Sequence, residues 1–238
     1  MFTKQDLRKL ILPLIIEQIL LATVGIADTV MIASVGEAAV SGVSLVDNIN
    51  VLLINIFTAL ATGGAVVAGH SLGEGSKERA SEAAEQLIIF TAFLSAAIML
   101  VLLIGCPWIL QGVFGKIEGD VMANARIYLL ITAFSIPFIA LYNAGAAIFR
   151  AMSDSKTSML VSLIMNGVNI AGNALLIYGC GMGVEGAAIP TLVSRMVAAV
   201  IILVLIRNQA LDIHLRKGHK IFQNRTLIWN FMQPFLGC

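Results

Sequence analysis

Three polar residues in separate parts of the chain each lie seven residues from one end of an apolar segment. We predict that these three segment ends lie on the same side of the folded protein. The residues are Asp28, Asn173 and Thr191. In a helix that rises about 1.5 Å per residue, seven residues correspond to a depth of about 10 Å. A carboxylate, an amide and a hydroxyl are therefore expected at one level. This combination favours the exchange of a proton for a metal or organic cation. Asp28 is accordingly a candidate cation or proton site.

Asparagines form a stripe in the same part of the chain as Asn173. Asn166, Asn169 and Asn173 occupy positions i, i+3 and i+7, so they lie on one face of a helix. Amides that faced lipid would stay unpaired, and we expect the stripe to face a cavity or a neighbouring helix. Asn169 therefore joins the candidate ion- or substrate-binding residues. The alternative is polar packing, because Asn and Thr often hydrogen-bond across helix interfaces.

Two further ionisable residues fall inside apolar segments. Glu17 precedes Asp28 by 11 residues, about three helical turns, so the two acids share a helix face. Glu17 is a candidate either to extend a proton path or to pair with a cation. Arg195 follows Thr191 by four residues and needs a counter-charge. We expect Glu17 or Asp28 to supply it in a structural ion pair.

The composition places these residues in the lipid bilayer rather than in water. Of 238 residues, 58% are hydrophobic and 12% are charged, against roughly 25% charged in soluble domains. We therefore predict an all-α membrane protein. The net charge of +1 argues against nucleic acid as a partner, because no basic face is large enough to neutralise a run of phosphates. The cysteines have no metal-like spacing, and no cofactor is indicated.

Apolar segments of about 20 residues predict six transmembrane helices. We expect them at 10–35, between 47 and 74 with a start near 39, between 85 and 116, between 126 and 150, between 156 and 180, and at 184–206. Residues 1–206 would then form an N-terminal six-helix lobe, 207–226 a cytoplasmic linker, and 227–238 the start of a truncated seventh helix. Pro13, Pro137 and Pro190 are potential bending points.

Lysines and arginines are unevenly distributed among the predicted loops, and this asymmetry predicts the orientation. With a cytoplasmic N-terminus, twelve of them lie in inner segments, the outer segments hold Lys116 and Arg126, and Arg195 lies within a span. We therefore predict a multi-pass protein of the cell membrane with its N-terminus in the cytoplasm.

One short motif is typical of a different class of protein. Residues 69–73 match the G-x-S-x-G nucleophile elbow of serine hydrolases, which works only at a strand-to-helix turn beside an oxyanion hole. Here the motif ends a long apolar helix and precedes a charged loop. We interpret it as a helix end and predict that the protein is not an enzyme.

Several segments together resemble the multidrug and toxic compound extrusion (MATE) family. In the first span, Pro13 is followed by the pair Asp28 and Thr29 and by Gly36, similar to the family's proline, Asp-Thr pair and closing glycine. Other segments resemble its second-to-third helix loop, its fourth helix, part of its fifth helix and the start of its sixth; these are residues 63–80, 136–154, 169–173 and 183–191. Their order and spacing extend the resemblance over essentially the whole chain.

The resemblance implies the N-terminal half of a secondary active antiporter with twelve helices in two six-helix lobes. It also implies export of cationic drugs or toxic compounds in exchange for sodium ions or protons. Asp28 corresponds to the acid of the N-lobe that binds the coupling ion, so the resemblance makes it a candidate sodium ligand. Asn169, Asn173 and Thr191 fall at positions of the surrounding polar cluster. Position 173 is an aspartate in many members, so this chain has a single acid at that level.

The length of the chain leaves alternatives open for the whole assembly. The family's C-terminal lobe is absent from it, so we expect the partner to be that missing lobe or a second copy of this chain. Within transport, the alternative is a lipid-linked sugar flippase of the same superfamily, whose cavity usually carries more basic residues. Outside transport, the alternative is a non-transporting truncated membrane protein.

Overall fold

The computed structural model describes residues 4–115 and 117–215. The secondary structure of these residues is entirely helical, which confirms the predicted all-α class. The helices are α1 (Lys4–Ala33), α2 (Glu37–Gly73), α3 (Lys77–Phe114), α4 (Gly119–Ala133), α5 (Ile136–Ala151), α6 (Ser155–Asn173) with a π-helical continuation (Ala174–Gly179), and α7 (Glu185–Leu205).

The helices have the length and apolar surface of membrane spans. Five of those described are long and apolar enough to cross a membrane, and the pair α4 and α5 adds a sixth crossing if it counts as one broken span. Helices α2 and α3 contain 37 and 38 residues. Each is therefore about 55 Å long, well beyond a hydrocarbon layer of about 30 Å. They must extend past that layer or cross it at a tilt.

The predicted fourth span is interrupted, which corrects the expectation of one helix between 126 and 150. The first part ends at Ala133, and the axes of α4 and α5 differ by 48°. Pro137 explains the break, because its ring lacks an N–H group and would clash with the carbonyl of Ala133 in a continuous helix. Helices α1 and α7, in contrast, continue through Pro13 and Pro190.

The start of α3 differs from the sequence-based bound, whereas the start of α2 agrees with it. Helix α3 begins at Lys77, so the charged residues before 85 form its first turns and not a loop. Helix α2 begins at Glu37, close to the predicted start near 39. Asp47 therefore lies well inside α2 and not at its edge.

Close helix packing brings the polar residues of α6 next to two other helices. Helix α6 packs against α1 and α7, while α2 packs against α3, α4 and α5. Gly42 shows how closely α2 approaches α4, since a Cβ atom there would lie 2.9 Å from the backbone nitrogen of Ala125 and 2.9 Å from the backbone oxygen of Val121. Glycine alone permits this approach.

Residues 207–215 fold back onto the lobe. The Ile213 side chain is buried, its N–H group points at Met152 Sδ from 3.3 Å, and the N–H of His214 donates to Ser81 Oγ at 3.3 Å. The rest of the predicted linker, to residue 226, and the predicted start of a seventh helix at 227–238 lie outside the described residues. The division into these segments stays a prediction.

Candidate ion- and substrate-binding cavity

One cavity lies inside the lobe, between helices α1, α2, α4, α5, α6 and α7. Its volume is about 490 Å³, within the range of small-molecule binding sites. Four of the five predicted site residues, Glu17, Asp28, Asn169 and Thr191, line it. The fifth, Asn173, contacts Asp28 directly. Residues predicted from separate parts of the sequence therefore face a shared space.

The Asp28 cluster, formed by Asp28, Asn169, Asn173 and Thr191, joins α1, α6 and α7 through consecutive hydrogen bonds. The Asn173 amide donates to Asp28 Oδ1 at 2.6 Å and to Asn169 Oδ1 at 3.4 Å. The Asn169 amide donates to Thr191 Oγ1 at 3.1 Å, and this hydroxyl donates to the carbonyl of Ala187 at 2.9 Å. The cluster thus combines an acid, two amides and a hydroxyl; Asp28, Asn173 and Thr191 are the three residues predicted to lie at one depth, and Asn169 comes from the predicted asparagine stripe.

A glycine fixes the distance between the two helices that carry this cluster. A Cβ atom on Gly172 would lie 2.7 Å from Cβ of Pro190, so α6 and α7 meet more closely than any side chain at 172 allows. Asn173 and Thr191 directly follow these residues. Beyond Asn173 the helix widens into the π-helical turn, a local form that is frequent at functional sites.

The Glu17 cluster, formed by Glu17, Tyr142, Arg150 and Ser158, lies about 16 Å along α1 from Asp28. The Tyr142 hydroxyl donates to Glu17 Oε1 at 3.2 Å, and the Ser158 hydroxyl lies 3.5 Å from Oε2. Arg150 Nη1 is 3.9 Å from Oε1. Glu17 is only 6% exposed, so this ion pair and these hydrogen bonds compensate a buried charge.

Arg195 does not form the predicted ion pair with Glu17 or Asp28, and that expectation is wrong. Its Nη1 donates to Ser135 Oγ at 2.7 Å, at the break between α4 and α5. Glu17 pairs with Arg150 instead. The carboxylates of Asp28 and Asp47 act on Arg195 through space rather than by contact.

Asp47 is a cavity residue that the sequence analysis does not single out. It lines the cavity from α2 and accepts a long hydrogen bond of 3.5 Å from the Asn50 amide. A signal was available, because Asp47 is the only Asp, Glu, Lys or Arg between Glu37 and Glu74. An isolated acid inside an apolar helix is a functional hypothesis by default.

The chain is similar to known membrane transporters over most of its length. The family described as MatE matches residues 13–175. The chain belongs to the MatE family. This confirms the resemblance found in the sequence motifs. The members of the MatE family are transporters, and the chain is not an enzyme.

Individual relatives of this MatE protein show the same coverage. It is 27% identical over 219 residues to the probable multidrug resistance protein NorM of Thermotoga maritima, covering 90% of this chain and 47% of that protein. It is 30% identical over 202 residues to the uncharacterized transporter YisQ of Bacillus subtilis, covering 83% of this chain and 44% of that protein. The chain thus spans about half the length of the curated relatives it matches.

A solved structure shows the fold. A multidrug resistance MATE family transporter in an outward-facing conformation matches this chain with a TM-score of 0.86 at 24% identity, covering 97% of this chain and 51% of that one. The MatE protein therefore has the fold of one half of a MATE transporter and is a multi-pass membrane protein.

The charged groups that line the cavity of this MatE protein do not cancel. Three carboxylates, of Glu17, Asp28 and Asp47, face it together with two guanidinium groups, of Arg150 and Arg195. Arg150 is one of the twelve basic residues predicted to lie in inner segments outside the spans, so the structure adds a second basic group to the wall. When all five groups are ionised, one negative charge remains, and such a cavity attracts cations.

Oxygen atoms, rather than a cluster of charged ligands, make up the candidate cation site. Within the described residues, no group of three or more His, Cys, Asp or Glu side chains could hold a metal ion. The Asp28 cluster instead offers carboxylate, amide and hydroxyl oxygens, which hard cations prefer. Among them, the buried Asn173 Oδ1 has no hydrogen-bond partner in the part of the chain that the structure describes. The assignment of Asp28 as a sodium ligand stays a prediction.

Proposed function

We propose that the chain forms the N-terminal lobe of an antiporter that exports cationic organic compounds in exchange for sodium ions or protons. In this proposal it lies in the cell membrane with its N-terminus in the cytoplasm. The observation that carries the proposal is the position of Asp28, a half-buried carboxylate that lines a cavity with one excess negative charge. Its nearest hydrogen-bond donor, the Asn173 amide, is neutral.

Asp28 meets the chemical requirement of an exchanger. Its negative charge can be compensated by a coupling ion or by a cationic substrate. If the coupling ion and the cationic substrate were bound at the same time, their positive charges would repel each other strongly in a low-dielectric space. Binding of one cation therefore favours release of the other, and the lobe needs no further chemistry to couple the two movements.

Many family members have a second acid at position 173, where this chain has an amide. In the proposed site, Asp47 takes the place of that second acid. It lies on α2 rather than α6, yet it is close enough to act electrostatically on Asp28. Arg195 interacts with both carboxylates. The two acids and this arginine together retain a single negative charge, which suits a monovalent cation.

The charges of the cavity favour this proposal over a flippase for lipid-linked sugars. Such a substrate carries phosphate groups, and it would require an excess of basic residues on the wall. Arg150 and Arg195 are present, but Glu17, Asp28 and Asp47 outnumber them. An anionic headgroup would therefore be repelled.

The remainder of the antiporter would be a second lobe. The NorM protein of Thermotoga maritima, named as a probable multidrug resistance protein, is about twice as long as the matched region. An immunoblot of native membranes with an antibody against the N-terminal segment tests the source of that lobe. A band near twice the mass of this chain would favour a C-terminal lobe, and a band at the mass of this chain would favour a second copy.

Transport into vesicles tests the function itself. The protein, reconstituted at the length at which its own cells make it, should accumulate a fluorescent organic cation when a proton or sodium gradient is imposed. Asp28→Asn should lower this uptake at least tenfold, because it removes the charge and keeps the shape. Asn48→Leu is the matched control, since Asn48 is exposed and its amide binds only the backbone of its own helix, at Ser44. Uptake that neither gradient drives, or that Asp28→Asn leaves unchanged, would overturn the proposal.

A further inference from the structure

Polar side chains continue along α6 over the whole distance between the two acids of α1. Ser158, Ser162, Asn166, Asn169 and Asn173 follow one another at intervals of three or four residues. This spacing places all five on one face of the helix. These five residues are called the α6 ladder below.

The two ends of the α6 ladder contact the two acids. The Ser158 hydroxyl lies 3.5 Å from Glu17 Oε2, and the Asn173 amide donates to Asp28 Oδ1 at 2.6 Å. Helix α1 packs against α6, and its two acids are 11 residues apart, or about 16 Å. The ladder therefore provides a polar surface from one carboxylate to the other.

The middle of the α6 ladder contains buried polar atoms without protein partners. Ser162 Oγ and Asn166 Nδ2 find no hydrogen-bond partner among the described residues, and neither does Asn143 Nδ2 on α5. All three side chains line the cavity, and Asn166 is only 5% exposed. Buried polar groups that lack a protein partner are normally satisfied by ordered water. This part of the cavity is therefore suited to water.

The spacing of the ladder matches single water molecules. Neighbouring side chains on one helix face are about 5–6 Å apart. A water that hydrogen-bonds to two of them at about 2.8 Å spans about the same distance. Hydroxyl and amide groups both donate and accept hydrogen bonds, so they allow each water to take either orientation. Such a file of water conducts protons, whereas a sodium ion needs several oxygen ligands at each step.

We infer that the α6 ladder holds a file of water that carries protons between Glu17 and Asp28, which makes the proton the coupling ion. This inference rests on the proposed antiporter function and specifies its ion. In the transfer, the Asp28 carboxyl group releases a proton to the adjacent water, each water passes one proton onward, and the Glu17 carboxylate accepts one from the last, so the proton moves inward as the proposed exchange requires. One proton and one unit of charge move, and the ladder residues only exchange hydrogen bonds.

Charged groups at both ends permit the transfer. Next to Glu17, the guanidinium of Arg150 at 3.9 Å and the Tyr142 hydroxyl at 3.2 Å stabilise the carboxylate that accepts the proton. At Asp28, the carboxylate of Asp47 on α2 and the guanidinium of Arg195 on α7 act with opposite signs. The Asp28 end therefore retains one negative charge when all three groups are ionised, whereas the charges of Glu17 and Arg150 cancel.

Time-resolved infrared spectroscopy tests the path without any transport assay. The protein at its native length, in lipid nanodiscs, is subjected to a pH jump, and the carboxyl band of Asp28 is assigned by its loss in Asp28→Asn. Asn166→Leu should slow the response of this band at least tenfold, because it removes the central polar group and fills the cavity. Asn48→Leu, outside the cavity, should leave the rate unchanged. An unchanged rate in Asn166→Leu would overturn the inference.

Additional variants separate a polar path from a merely structural role. Asn166→Gln keeps the amide and should restore a rate near that of the wild type. If Asn166→Leu does not fold, Ser162→Ala serves instead, with the same criterion and with Ser95→Ala in α3 as its control. Organic-cation transport, measured separately, decides the antiporter proposal, so either idea can fail alone. Transport that a sodium gradient alone drives at equal rates in wild type and Asn166→Leu would overturn the assignment of the proton.

Discussion

The two acids of α1 lie in the same cavity, but their charges are compensated in different ways. The Glu17 carboxylate is almost fully buried and has a guanidinium, a phenol and a serine hydroxyl around it. The Asp28 carboxylate is half-buried, and its nearest donor is the neutral amide of Asn173. The protein itself therefore supplies a contacting positive charge for Glu17, whereas the hydrogen-bond donor of Asp28 is neutral, which fits the proposed cation site.

This difference teaches that depth in a membrane does not by itself identify a coupling group. Both acids lie inside apolar segments, and each would cost free energy if its negative charge were left without a partner. The Glu17 cluster ties α1 to α5 and α6, so it has a structural role whatever else it does. The Asp28 cluster has the composition of a binding site. The two clusters should therefore respond in opposite ways to substitution.

The largest expected effect comes from removing the internal counter-charge of Glu17. Arg150→Met leaves a buried carboxylate without a cation, a change that typically costs 3–5 kcal/mol. Because Arg150 is 28% exposed and 3.9 Å away, we expect a smaller loss in the free energy of unfolding, about 2–3 kcal/mol. Thermal unfolding in detergent measures it. The double variant Glu17→Gln with Arg150→Met should recover most of the loss. Wild-type stability of Arg150→Met would show that the pair does not compensate Glu17.

A somewhat smaller effect is expected where α6 and α7 meet. Gly172→Ala would place a Cβ atom 2.7 Å from Cβ of Pro190, so the helices must separate beside the Asp28 cluster. Such overpacking costs about 1–3 kcal/mol, and organic-cation binding should weaken as well. Gly167→Ala in the same helix is the control, because nothing lies within 4 Å of its added methyl group. Equal stability of both variants would mean that the close contact is not required.

The members of the Asp28 cluster could be predicted from the sequence because the position of a residue in a spanning helix determines its depth in the membrane. The rise per residue is constant, and spanning helices run roughly side by side through the bilayer. Residues at equal distances from the same membrane surface, such as Asp28, Asn173 and Thr191, are therefore candidates to meet. Their geometry agrees with that expectation, while their roles in transport stay predictions.

The partners of the arginines could not be predicted in this way. Depth says nothing about how each helix is rotated, and the 48° break between α4 and α5 brings Ser135 to Arg195. Arg150 is close to a helix end, where the sequence indicates a loop. Asp47 is omitted for a related reason, since a lone acid in an apolar run can mark either the edge of a span or a cavity.

Adding an acid to the Asp28 cluster sharpens the contrast with Glu17. Asn173→Asp would place a second carboxylate next to Asp28, at the position of the amide that now donates a hydrogen bond to it at 2.6 Å. Two such carboxylates cannot both stay charged without a shared proton or a bound cation. We expect the affinity for an organic cation to rise about tenfold, or about 1.4 kcal/mol, measured by calorimetric titration of the detergent-solubilised protein. Asn48→Asp should change nothing, and an unaltered affinity in Asn173→Asp would argue against a cation site at Asp28.

The smallest effects come from single hydroxyl groups, one in each cluster. Thr191→Val keeps the branched shape but removes the acceptor of the 3.1 Å hydrogen bond from the Asn169 amide. A buried amide without its partner costs about 1 kcal/mol in the free energy of unfolding. Ser158→Ala removes a 3.5 Å contact to Glu17, which keeps Tyr142 and Arg150. It also removes a 3.0 Å hydrogen bond to the Ser155 carbonyl of its own helix, so we expect a loss of under about 0.5 kcal/mol. Chemical denaturation of both variants compares them directly. A larger loss for Ser158→Ala would reverse the distinction, because the Glu17 cluster would then depend on its hydroxyl more than on its ion pair.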